Sequence, residues 1–272
     1  MGNLVTIAVE QLNEVGVVIV NLTCDNPTTN WSMLHGLGAN LKANNLKVNL
    51  SLENTLGLPI YSIPDVVHCL KLARNAFGDY LVFEDGDGQK ISWTYIIELN
   101  KLQEEKGLFL ANKLRQEHIK WRSNKMKVRI AAQTISSYVA DAIDYCRNIL
   151  KLPQFENSEA TTRFLRMFDK LFDILNSKSK FGRGFKAPLN KNNFSDRLQF
   201  FEECSNYICN LKIPNGKKLV EGPRKAAFIG FLAGMESFKA IFNDYVQTNL
   251  MEYILTFKYS QDHLGLVYFT TF

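Results

Sequence analysis

A chain of 272 residues with 46% hydrophobic content can bury one large core or two smaller ones, which excludes a disordered tail and a small scaffold that needs disulfides. Its 32 Lys plus Arg against 27 Asp plus Glu leave a net charge of only +5, a bias that permits nucleic-acid or phosphate binding without demanding it. The longest apolar run, Val15 to Leu22, is far shorter than the ~20 residues of a spanning helix, and the N-terminus lacks a signal peptide's basic start and apolar stretch; no membrane partner is expected.

In chain order, residues 3 to 14 read as an amphipathic helix with Leu4, Ile7, Ala8 and Leu12 at helical spacing. Val17 to Cys24 is β-branched and nearly continuously apolar, as in a strand buried on both faces. Asp25-Asn26-Pro27 ends it, and Thr29 or Asn30 can cap a helix reaching about Ala43. Leu58 to Ile63 is a second strand, so the first 65 residues form a β-α-β piece with too few strands to close a sheet layer. Val66 to Phe77 reads as a helix. Tyr80–Phe83 and Lys90–Trp93 flank the turn-forming Glu84-Asp85-Gly86-Asp87-Gly88, the pattern of a hairpin. Beyond Trp93 nearly everything is helical, over roughly 93–103, 108–121, 126–149, 158–177, 194–211, 222–246 and 249–257, with loops at Gly182-Arg183-Gly184 and Pro214-Asn215-Gly216.

The charge is unevenly distributed. Lys113, Arg115, Lys120, Arg122, Lys125, Lys127 and Arg129 face the single acid Glu117, and Lys178, Lys180, Arg183, Lys186 and Lys191 form a stretch with no acid. From charge alone, solvated surfaces and anion-binding surfaces are equally open readings. The five cysteines, Cys24, Cys69, Cys146, Cys204 and Cys209, form no CxxC pair, which points to reduced thiols. His35, His68, His118 and His263 lie at no zinc spacing from them, so no structural metal is expected.

Several blocks occur in a telling order. They are Val17-Val18-Ile19-Val20-Asn21-Leu22-Thr23-Cys24-Asp25 with Asn30 and Met33, then Ile63-Pro64-Asp65-Val66-Val67-His68-Cys69-Leu70-Lys71 with Arg74-Asn75, then Ile91-Ser92-Trp93-Thr94-Tyr95-Ile96. Leu110-Ala111-Asn112-Lys113-Leu114, Lys125-Met126-Lys127-Val128-Arg129 leading to Ala132-Gln133-Thr134, Val139-Ala140-Asp141-Ala142 and Leu171-Phe172-Asp173-Ile174-Leu175-Asn176-Ser177 follow. The series, over about residues 3 to 264, resembles the P-element-type DNA transposases, THAP-domain transposases included. The resemblance implies an α+β, mostly α-helical chain in which a helical GTP-binding insertion domain interrupts a partial RNase H-like α/β fold. Residues 1–62 would be the partial catalytic fold, 63–250 the insertion and 251–272 a truncated return to the catalytic fold.

Such transposases cut and join DNA with three carboxylates that clamp two divalent metals. By resemblance Asp25 is the second acid and a metal ligand. The first is expected upstream of Met1, and Gly265 stands where the third, a Glu, is expected. Asp65 and Asp262 lie near in family topology, but two-metal geometry tolerates so little displacement that neither is expected to compensate. Magnesium binding is therefore expected to be weak or lost, and DNA cleavage and strand transfer with it.

The insertion domain binds GTP in the family without a P-loop, and this chain has no GxxxxGK[ST] either. The resemblance places the guanine base against Phe172, Asp173, Asn176 and Asp262, and the phosphates against Lys113, Lys127, the backbone of Val128 and the hydroxyl of Ser136. These residue types fit a guanine pocket, since a carboxylate accepts from the N1–H and 2-amino donors of guanine, an arrangement adenine lacks, and a Phe ring can stack on the base. From residue types alone, Phe172 could as well be core, Asp173 and Asn176 an exposed polar face, and the two lysines solvated. The expected function is thus a transposase-derived protein that binds GTP and DNA, in the nucleus by resemblance and otherwise in the cytoplasm. The alternative is a subunit or fragment of an active transposase whose missing acids come from upstream sequence or a partner chain. Because the strand at 17–24 lacks its earlier neighbours, self-association or pairing with a related transposase is a further expectation.

Overall fold

The computed structural model describes residues 1–25, 28–107, 110–111 and 113–261. They fall into two compact units, one made of Met1–Cys69, Asp173–Glu203 and the segment beginning at Phe228, the other of Leu70–Phe172 and Cys204–Ala227.

In the first unit, helix α1 (Gly2–Glu14) forms as its periodicity predicts, but it turns Val5 and Val9 inward. Leu4, Ile7 and Leu12 remain 71%, 49% and 43% exposed, so the apolar face read from the sequence is not the one buried. Strand β1 (Asn21–Cys24) is shorter than the apolar run, because only these residues pair in parallel with β3 (Pro59–Pro64), in the register Asn21↔Tyr61 to Cys24↔Pro64. Between them come α2 (Thr28–Gly36) and β2 (Asn49–Glu53), a strand not foreseen, which pairs antiparallel with the other side of β3. The order β1-β3-β2 leaves β1 at an edge, where β3 is its one strand partner among the described residues. Helix α2 stops short of Ala43 because Gly38 adopts φ +103°; a Cβ there would lie 2.1 Å from Ser51 Oγ and 3.0 Å from its backbone N, so the chain must turn beside β2. Val9, Cys24, Leu34, Leu37, Leu50 and Ile60 form the core of this layer.

The later segments of the same unit are tied to it by buried hydroxyls. Helix α10 (Ala226–Ile241) carries Ser237, whose Oγ donates to the Ser62 carbonyl at 2.7 Å. Its last turn widens into a π-turn over Phe242–Val246, which presents consecutive residues to the sheet: Tyr61 O–H donates to Asp244 Oδ2 at 2.5 Å, and Asn54 Nδ2 donates to the Tyr245 hydroxyl at 2.6 Å. The helix expected at 249–257 is absent. Ile254 instead bridges Leu189, and Thr256 Oγ1 accepts from Ser177 N–H at 2.8 Å while donating to the Ile174 carbonyl at 2.6 Å.

The second unit holds most of α3 (Val66–Tyr80) and the hairpin of β4 (Val82–Glu84) and β5 (Lys90–Ser92). Helix α4 (Thr94–Lys106) follows, closed by Gly107 in the left-handed region. Of the helix expected over 108–121, the described residues form α5 (Gln116–Ile119). That expected over 126–149 breaks into α6 (Val128–Thr134) and α7 (Ser137–Asn148), because Ser136 leaves helical geometry and its hydroxyl accepts from Val139 N–H as an N-cap. Helices α8 (Glu159–Leu175) and α9 (Phe194–Asn210) match their predicted spans closely. The core here is aromatic: Phe77 lies 5.2 Å from both Phe83 and Trp93 and 5.1 Å from Phe164, centroid to centroid, spacings at which edge and offset contacts add to area burial. The described residues are α+β and mostly helical, with one three-stranded and one two-stranded sheet among them.

Candidate functional site

Asp25 follows directly on β1, and its Oδ1 accepts from Asn30 Nδ2 at 2.7 Å. Asp65 follows on the neighbouring β3, held level with it by Asp65 N–H donating to the Cys24 carbonyl at 2.9 Å. Both carboxylates reach the Cys24 thiol, which burial first, and these two negative charges second, push up to about 12. A buried Asp65 Oδ1 accepts from Val67 N–H at 3.3 Å, so part of this carboxylate serves as the start of α3. The described residues thus supply two carboxylates at the strand ends, and no group of three metal-capable side chains occurs among them. A two-metal clamp draws on more carboxylates than this pair. Asp262 and Gly265 lie outside the described residues.

The cationic segment in the second unit is ordered largely by hydrogen bonds to neutral groups. Arg74, fully buried, donates through Nε to Asn75 Oδ1 at 2.8 Å and through Nη2 to the Asn124 carbonyl at 3.0 Å. Asn75 Nδ2 donates in turn to the Lys125 carbonyl at 3.3 Å. Burial lowers the Arg74 pKa to about 10, which still leaves a full positive charge at neutral pH. One turn on, Gly78 admits the Trp121 ring; a Cβ at 78 would stand 2.3 Å from Trp121 Nε1. At the other end, Arg115 N–H donates to Nδ1 of buried His118 at 3.0 Å, which leaves Nε2–H to donate to Gln133 Oε1 on α6 at 3.1 Å. Residues 115–127 are thereby pinned at both ends. Lys127 stands exposed at the N-cap of α6, and Val128 is its first residue. Lys113 is exposed, with Nζ 5.9 Å from the Tyr138 ring centre. Ser136 is engaged both ways, donating to the Gln133 carbonyl at 3.0 Å and accepting from Val139 N–H at 3.3 Å.

On α8 the apolar stripe is fully buried at Phe164, Leu165, Phe168, Leu171, Ile174 and Leu175. Phe172, Asp173 and Asn176 are half-buried, on the face beside it, so Phe172 is not simply core. Asp173 Oδ2 lies 3.8 Å from Nζ of exposed Lys186. Asn176 Oδ1 is buried without a hydrogen-bond partner among the described residues, an acceptor whose desolvation costs free energy until a donor meets it. The last turn of α8 and the residue that follows it therefore carry Phe172, Asp173 and Asn176, while Lys113, Lys127, Val128 and Ser136 share the α5–α7 region. Sequence reasoning missed the Arg74–Asn75 clamp, although both residues stand in the ordered series of blocks, because the carbonyls they hold lie fifty residues away.

Residues 67–188 match the family of TNP-like, GTP-binding insertion domains. The chain is 29% identical over 267 residues to the human DNA transposase THAP9, covering 97% of this chain and 29% of that protein. It is 26% identical over 255 residues to the transposable element P transposase of Drosophila melanogaster, covering 93% of this chain and 32% of the relative. The chain thus spans about a third of the length of these curated relatives. The fold is shared with a chain of the Drosophila P element transposase strand transfer complex, at a TM-score of 0.83 and 23% identity over 98% of this chain and 58% of that one. The chain is thus similar over nearly its whole length to the P-element-type transposases, and its residues 67–188 match the GTP-binding insertion domain family.

Proposed function

We propose that this chain binds GTP through its insertion domain, as a transposase-derived protein that engages DNA without cutting it. The observation that carries the nucleotide reading is the half-buried face of α8, where the Asp173 carboxylate and the unpartnered Asn176 Oδ1 stand within the family match. Two acceptors on one helix face suit the donor edge of guanine and oppose adenine, whose 6-amino group lies elsewhere and whose N1 accepts. Lys113 and Lys127 take the phosphates in this reading, with the Val128 backbone and the Ser136 hydroxyl, and Phe172 lies against the base. Titration calorimetry of the chain with GTP and with ATP tests it. The expected result is binding of GTP well ahead of ATP; equal affinities, or no binding to folded protein, would sink it.

A second reading, a subunit or fragment of an active transposase, is favoured by one observation: Asp25 and Asp65 stand level at the ends of adjacent parallel strands. Under that reading, upstream sequence or a partner chain supplies the remaining acid and magnesium binds. Strand-transfer assays with magnesium or manganese separate the two, since the preferred reading expects no product and the second expects product that Asp25→Ala abolishes. A nuclear setting goes with either reading.

A further inference from the structure

Residues 174–195 contain no Asp or Glu and carry Lys178, Lys180, Arg183, Lys186 and Lys191. Lys186 reaches Asp173 and Lys191 donates to Asn249 Oδ1, but Lys178, Lys180 and Arg183 form no ion pair among the described residues. The loop that bears them is closed by its own hydrogen bonds. Phe181 N–H donates to Ser179 Oγ at 3.2 Å, and Gly182 N–H to the Ser179 carbonyl at 3.0 Å. Ser177 Oγ donates to the Lys186 carbonyl at 2.8 Å, and Arg197 Nη2 to the Gly184 carbonyl at 2.6 Å. The backbone crosses itself so closely that a Cβ on Gly182 would sit 2.1 Å from the Lys186 carbonyl oxygen. This is a compact loop packed on its own atoms.

At its tip Phe181 is 79% exposed, the most exposed of the chain's large hydrophobic side chains among the described residues. Cations lie over three aromatic rings here: Lys180 Nζ is 4.9 Å from the centre of Phe181, Lys178 Nζ 4.2 Å from Phe257, and Arg197 Cζ 4.6 Å from Phe185. An apolar ring held in water gains nothing in the folded chain, and clustered cations without acids repel one another. Both conditions are relieved by a polyanion that also offers flat apolar faces. In a duplex those faces are stacked away; in a single strand they are free.

We propose that the 178–186 loop is a docking surface for single-stranded nucleic acid, in which an unpaired base stacks on Phe181 and adjacent phosphates meet Lys178, Lys180 and Arg183. It is independent of the guanine-nucleotide reading, since none of these four residues takes part in it. Fluorescence anisotropy of the full chain with a labelled 15-nucleotide single strand, and with the matching duplex, tests the proposal. Because all four side chains are exposed, their variants should keep the wild-type melting temperature. Phe181→Ala should weaken single-strand binding about five- to hundredfold, the range of one lost base–aromatic stack, with little change in its salt dependence. Phe181→Trp should preserve it. The triple variant K178A/K180A/R183A should reduce the slope of log affinity against log salt by about 2, near 0.7 for each lost phosphate contact. An unchanged affinity in Phe181→Ala, a duplex bound as tightly as the single strand, or competition by polyglutamate as effective as by unlabelled strand would each overturn the proposal.

Discussion

Replacing Asn75 by Ala removes a side chain that is itself nearly buried and leaves two groups without partners, Arg74 Nε and the Lys125 carbonyl. Each buried polar group left unpaired costs about 1 to 3 kcal/mol, with the upper end for charged donors, so the variant should lose about 2 to 5 kcal/mol. Arg74 cannot relax by shedding its proton, since a pKa of about 10 keeps it charged at neutral pH, and its Nη1 already lacks a partner. The double variant R74M/N75L removes the buried charge together with its acceptor and keeps apolar bulk. It should therefore cost less than Asn75→Ala alone, because breaking a buried polar pair is worse than replacing it. Urea unfolding monitored by tryptophan fluorescence gives both values. Amide exchange over 120–127 should rise in Asn75→Ala ahead of global unfolding, since the carbonyl of Lys125 loses its anchor and Arg74, which holds the carbonyl of Asn124, loses its own. A double variant less stable than Asn75→Ala, or unchanged exchange in that segment, would refute the clamp.

Gly78→Ala should cost about 1 to 3 kcal/mol, because its Cβ drives into Trp121, and the Trp121 fluorescence should shift with it. Cys24 should resist alkylation at pH 8 in the native protein: with a thiol pushed up to about 12, about one molecule in ten thousand is thiolate, against about one in ten at the ordinary value. The sign also fixes its linkage, since a folded-state pKa above the unfolded 9.0 gives stability that is complete below pH 9 and drains away as pH rises towards 12; rapid labelling of Cys24 at pH 8 would contradict this. Asp173→Ala should reduce guanine affinity by about 1.5 to 3 kcal/mol if its carboxylate makes charge-assisted bonds to the base, and calorimetry showing an unchanged preference over adenine would remove it from that role. The chain should self-associate through the β1 edge and the exposed Val17 and Val18; light scattering on a sizing column should show Val18→Lys shifting it towards 31.1 kDa, and a monomeric unmodified chain would end this expectation.

Where local chemistry decides, the sequence was readable. The apolar spacing of Phe164, Phe168, Leu171 and Leu175 yields α8 as predicted, and Glu84 to Gly88 yields the hairpin. Where a distant segment decides, it was not. Strand β2 has only Leu50 and Leu52 to announce it and exists because β3 has a second edge to fill. The 249–257 segment has ordinary helical composition, yet Leu189 draws Ile254 into a bridge. The break at Ser136 was legible after all, since a serine before a helical run is a capping signal, and it was overridden by the apolar run around it. At the candidate site, the α8 face could be read from the i, i+3 spacing of Asp173 and Asn176. The Arg74–Asn75 clamp could not, because its acceptors are backbone carbonyls fifty residues away and carry no mark in the sequence.

The π-turn at Phe242–Val246 fixes the length of the chain at that point. A wide turn holds one residue more than an α-helical turn, and here that residue lets Asp244 and Tyr245, neighbours in sequence, meet Tyr61 and Asn54. Deleting a single residue would restore regular helix, and a narrower turn would no longer present both neighbours to the sheet, so one of the two contacts would be lost. Among relatives of this chain, insertions and deletions should therefore avoid 242–246 even where the amino acids themselves have drifted.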